Sequence, residues 1–116
     1  DGLVDLHTTH PFKENKLELN PKNFQKDAFI FENPKSSYIN LYDKKTKHLV
    51  KISFHQSKFL GIWGKDKLPF VCIEPWDGVA DTSDHDGNLE TKLGIINLGP
   101  GMDYRFKFEI ELMVKV

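Results

Sequence analysis

The sequence predicts an all-β chain folded as an antiparallel β-sandwich. Three observations carry that expectation. Apolar stretches of four to nine residues alternate with turn signals, and almost no segment keeps a helical period. Nine Phe, three Tyr and two Trp supply the large side chains that suit a pleated surface. The 116 residues suffice for one domain or part of one, and neither an internal repeat nor an interior linker divides them.

The elements follow in order. Leu3, Val4 and Leu6 suggest a short strand before a polar connection that holds His7 and His10. Leu17 to Leu19 reads as a second short strand. Asn20-Pro21 has the form of a helix cap with Pro at the first helical position, opening one turn through Phe24. Asp27 to Phe31 is a strand, and Asn33-Pro34-Lys35 a turn. From Ser37 to Tyr42 and again from His48 to His55, apolar and polar residues alternate. Asp43 to Lys47 forms an exposed turn between them, so these two strands should pair antiparallel. Phe59 to Gly64 is a further strand, with Leu60 and Ile62 on one side and Gly61 and Trp63 on the other.

Phe70 to Ile73 is an apolar strand that Pro75 should stop, because proline has no backbone N–H to donate. Glu74 would then stand at the strand end beside Trp76. A carboxylate there either turns into solvent or does acid/base work. Ala80 to Glu90 is a long polar loop. It is no calcium loop, because aligning Gly87 with the obligatory glycine puts Thr82 and Leu93 at the two terminal ligand positions. Gly94 to Leu98 reads as a short strand, Gly99-Pro100-Gly101 as a tight turn, and Tyr104 to Leu112 as a half-buried strand closing the sheet.

Composition excludes several function classes. Net charge is -1, and the single Arg, Arg105, leaves no basic stripe for nucleic acid. Cys72 is the only cysteine, so no disulfide forms within one chain, and its place in an apolar strand reads as core. No stretch is long enough to span a membrane, no signal-peptide pattern with an apolar centre is read, and a cytoplasmic location is expected. His7 and His10 lack further ligands at metal spacing and read as loop residues; no metal and no cofactor are expected.

The wording of the central stretch is more specific than its pattern. Val71-Cys72-Ile73-Glu74-Pro75-Trp76, then Gly78-x-Ala80-Asp81, then Gly94-Ile95-Ile96-x-Leu98-x-Pro100-Gly101 resembles the C-terminal part of the aldose 1-epimerase (galactose mutarotase-like) superfamily. It is most similar to the branch associated with bacterial lactose and tagatose operons. The likeness runs from about Leu17 to Ile110. It implies that residues 1–116 are one domain or fragment, the C-terminal portion of a large antiparallel β-supersandwich.

By this resemblance Glu74 is the base that opens an aldose ring, Asp27 holds sugar hydroxyls, and Trp63 and Trp76 line the sugar pocket. The residues alone leave plainer roles open: Asp27 bonding its own backbone, and Trp63 as an ordinary packed side chain. The family's general acid is a His in the N-terminal half. His10-Pro11 imitates its context, but too few residues separate it from the next motif. That His would precede residue 1, so the chain alone should not be a competent mutarotase. It should expose open edges and an apolar face, and should need its N-terminal half, another chain or copies of itself. The rival expectations are a non-catalytic carbohydrate-binding β-sandwich module, and a sugar-sensing or structural relative without activity.

Overall fold

The computed structural model describes residues 2–6, 15–25, 27–65 and 68–114. The fold is an all-β sandwich of two three-stranded antiparallel sheets. The strands are β1 (Phe29–Glu32), β2 (Tyr38–Tyr42), β3 (His48–Ser53), β4 (Phe59–Gly64), β5 (Val71–Trp76) and β6 (Glu109–Val114). One sheet has the order β1-β4-β5, the other β2-β3-β6. Among the described residues no helix is long and apolar enough to cross a membrane. The expected strand at residues 3–6 is reduced to a single parallel bridge between Val4 and Thr82. His7 and His10 lie outside the described residues.

The core sits between the sheets. Leu60 and Ile62 of β4 join Phe29 and Phe54, flanked by Phe31, Ile39, Val71 and Ile73. Ile62 is only 2% exposed. Burying a side chain of this size contributes about 1.5–3 kcal/mol. Strand alternation fixes what lies on the other side. With Gly61 opposite Glu74 and Trp63 opposite Cys72, both pairs stand on the face of this sheet turned away from the core.

The second sheet begins as a hairpin. Ile39 pairs with Ile52 and Leu41 with Val50 on the inward face, as the alternation requires. Asp43 ties the turn: its carboxylate accepts from the Lys45 amide and the Thr46 hydroxyl, each at 2.8 Å. These bonds hold the Asp43 carboxyl below its usual range, the Thr46 bond most of all. Asn20 caps a single 3-10 turn, Pro21–Phe24, by accepting from the Asn23 amide at 3.1 Å.

Several strands depart from the sequence expectation. β5 runs through Pro75 to Trp76, with Pro75 paired to Leu60. It can do so because β5 is an edge strand and needs ladder bonds on one side only. Leu17 to Leu19 form no strand; the Asn23 side-chain amide donates to the Glu18 carbonyl at 2.6 Å, and Leu17 packs on the core. Gly94 to Leu98 also form none, since Gly94 opens the segment at φ +78 and packs against Phe59 and the Asp77 carbonyl. Finally, β6 starts at Glu109, not Tyr104, and its apolar residues are not half-buried. Ile110 is 58% and Leu112 79% exposed, because nothing among the described residues covers this end of the sheet.

Candidate functional site

The face of β4 and β5 opposite the core carries the candidate site. It is a row of cross-strand partners: Phe59 with Trp76, Gly61 with Glu74, Trp63 with Cys72. Phe59, at one end, is buried under the loop that contains Gly94. Trp63, Cys72, Glu74 and Trp76 are all half-buried.

Glu74 stands between the two indoles. The Trp63 indole N–H donates to its Oε1 at 2.8 Å. The Trp63 ring is in turn met edge-on by Phe70, with centroids 5.5 Å apart and planes at 90°. Trp76 lies diagonally across β4, above Gly61. A Cβ on Gly61 would come within 2.6 Å of that ring, so glycine is what lets the indole lie flat there.

Cys72 departs from its expected place in the core. It shares the Glu74 face, and burial, followed by the charge of Glu74 and a hydrogen bond to it, pushes the thiol pKa up. It is held as a neutral thiol and makes a poor nucleophile. Asp27 is exposed, two residues before β1, and accepts from the Ala28 amide at 2.7 Å. The fold thus brings Glu74, Trp63 and Trp76 together on one face and leaves Asp27 at the sheet edge, bonded to its own backbone.

Sequence reasoning missed the residues that brace this face. Asp77 follows Trp76 and accepts from the Lys58 amide at 3.3 Å and from the Tyr104 hydroxyl. That bond, with burial and the Asp77 charge, raises the Tyr104 pKa. Farther along the loop, Asp81 pairs with Lys92, which lowers the Asp81 pKa, and His85 Nε2 lies 3.5 Å from Asp81. A polar cleft of about 260 Å³ opens there. An apolar cleft of about 530 Å³, lined by Val4, Trp76, Gly78, Val79 and Ala80, adjoins Trp76. Among the described residues no cluster of His, Cys, Asp and Glu could hold a metal ion.

The three described histidines stand elsewhere. His48 is paired opposite Val114 in β3, His55 lies 3.3 Å from Glu109, and His85 Nδ1 accepts from the Gly87 amide at 2.7 Å. Chemically, the face offers a carboxylate that can accept a proton between flat apolar surfaces that suit the C–H face of a sugar ring.

No protein-family model matches the chain. The sequence is similar to two curated proteins of Lactococcus lactis subsp. lactis. Each is 28% identical over 115 residues, 97% of this chain: "Protein LacX, chromosomal" and "Protein LacX, plasmid". The chain spans 38% of the length of these relatives. A mitochondrial amino-acid acetyltransferase of Candida dubliniensis is 28% identical over 81 residues, 68% of this chain but 13% of its own length. No solved structure matches.

Proposed function

We propose that the chain is the C-terminal portion of an aldose 1-epimerase-like protein that interconverts the α and β anomers of an aldose. The observation that carries this reading is Glu74, a carboxylate on the outward face of an edge strand, hydrogen-bonded to Trp63 and flanked by Trp76. The resemblance of residues 70–101 to that superfamily supports it. So does the similarity to two LacX proteins, whose name agrees with the lactose-type branch. Carbohydrate metabolism in the cytoplasm goes with this reading.

In the proposed reaction Glu74 removes the proton from the C1 hydroxyl as an acid delivers a proton to the ring oxygen. The bond from C1 to the ring oxygen breaks and leaves an open-chain aldehyde. Rotation about C1–C2 presents the other carbonyl face. Reclosing returns each proton to its donor, so no co-reactant is consumed. Trp63 and Trp76 take the apolar faces of the sugar, and Asp27 holds its hydroxyls once its carboxylate turns from Ala28.

The acid is a His outside this chain. The rest of the longer protein supplies it, and also covers the strip of Phe106, Phe108, Ile110, Leu112 and Val114. Two features favour more of the same protein as the occupant of that strip: relatives more than twice as long, and an apolar face that continues the inward face of β2 and β3.

Polarimetry on an anomerically pure α-aldose tests the proposal. The complete protein should speed equilibration, the 116-residue chain alone should not, and Glu74→Gln in the complete protein should lower kcat by about 10²–10⁴-fold. An undiminished rate in that variant would overturn the assignment. Sugar binding without any acceleration would instead favour a carbohydrate-binding module.

A further inference from the structure

We infer that Trp63 is a positioning residue for Glu74: its indole N–H takes Oε1 and leaves Oε2 as the oxygen turned to the substrate. This inference rests on the proposed role of Glu74 as base. It assigns Trp63 a job beyond that of a sugar platform.

Three features make the arrangement a clamp. The Trp63 N–H to Glu74 Oε1 distance of 2.8 Å is that of a well-formed hydrogen bond to a charged acceptor. Trp63 and Glu74 stand on adjacent strands, diagonal to one another, because Gly61 is the residue opposite Glu74 and Trp63 lies two positions on. The rigid sheet therefore sets their separation. Phe70 meets the Trp63 ring edge-on and braces the indole in the orientation from which its N–H reaches across to Glu74.

The other neighbours on this face set no competing charge beside the carboxylate. Gly61 has no side chain to compete for the carboxylate. Cys72 hydrogen-bonds Glu74 as a neutral thiol, because burial and the Glu74 charge raise its pKa, and so sets no second anion there. An acceptor oxygen held by one fixed donor presents its partner in a set direction, and misplacement of a reacting group by 1 Å can cost on the order of 10²-fold in rate.

Two measurements test the inference. In the complete protein, Trp63→Phe keeps the edge contact with Phe70 but removes the donor. A positioning role predicts a kcat lowered on the order of 10²-fold with KM changed less than about threefold. A raised KM at unchanged kcat would leave Trp63 a platform only and overturn the inference. The second readout needs no activity. The two indole N–H resonances, assigned with Trp63→Phe and Trp76→Phe, are followed by hydrogen exchange. Glu74→Ala should speed exchange at Trp63 roughly tenfold or more, and Glu74→Gln, which keeps an acceptor, should restore most of the protection. Unchanged exchange at Trp63 in Glu74→Ala would sink the clamp. A complete protein that never equilibrates anomers would sink the functional reading, while the exchange experiment still decides the contact.

Discussion

The two sheets have the same alternating pattern and opposite fates. In β4, Leu60 and Ile62 are buried against the second sheet, and Gly61 and Trp63 face outward beneath Trp76 and beside Glu74. In β6, Ile110 and Leu112 continue the apolar face of β3 in register, yet they are 58% and 79% exposed. Alternation decides which face a side chain takes; it does not decide whether anything covers that face. The first sheet carries the candidate site, and the second carries an apolar margin left exposed among the described residues.

Substitutions break or sharpen that contrast. The largest effect is expected at Ile62→Ala, which should cost about 2–5 kcal/mol in a denaturant titration. A loss under about 1 kcal/mol would remove the core from this sheet. Next comes Gly61→Ala. Its Cβ collides with the Trp76 ring, so a cost of about 1–3 kcal/mol and a shifted Trp76 emission are expected. A neutral result would show that the indole is free to move.

The third effect is modest and depends on pH. The folded-state pKa of Asp43 is lowered, so its contribution to stability is present above the ordinary carboxylate pKa and is lost as pH falls through the lowered value. Asp43→Asn should therefore reduce stability at neutral pH and make no difference in strong acid, where the wild type has lost the same contribution. A gap that persists in acid would contradict this account of the hairpin turn. The smallest effect is expected at Leu112→Ala in the 116-residue chain, within about 0.5 kcal/mol, as for any exposed position. In the longer protein the same change should cost several times more. Equal costs in both would show that nothing covers β6.

Much of the fold was legible in the residues. The β2–β3 hairpin, β4 with its two faces, and the Asn20 cap each had a local cause: alternation, turn chemistry or an orphan donor. The misreadings have physical reasons too. Pro75 reads as a stop, although an edge strand tolerates a missing donor. Tyr104 to Leu112 reads as half-buried because alternation normally accompanies burial. Of the site, the outward face of Trp63 was readable from period two, whereas Glu74, expected at a strand end, stands within β5. The hydrogen bond between them was not readable, because it depends on a diagonal across two strands whose register the sequence does not state. The braces at Asp77 and Tyr104, 27 residues apart, had no local signal at all.

The measurement that tests the central claim most directly is a titration of the complete protein with an aldose, followed through the indole N–H resonances of Trp63 and Trp76 and the methyl resonances of Ile110 and Leu112. If the Glu74 face is the sugar site, both indole signals move with one saturating curve, the methyl signals stay still, and Glu74→Gln weakens or abolishes the response. Movement confined to the Ile110 and Leu112 methyls, or indoles indifferent to every aldose, would contradict the account.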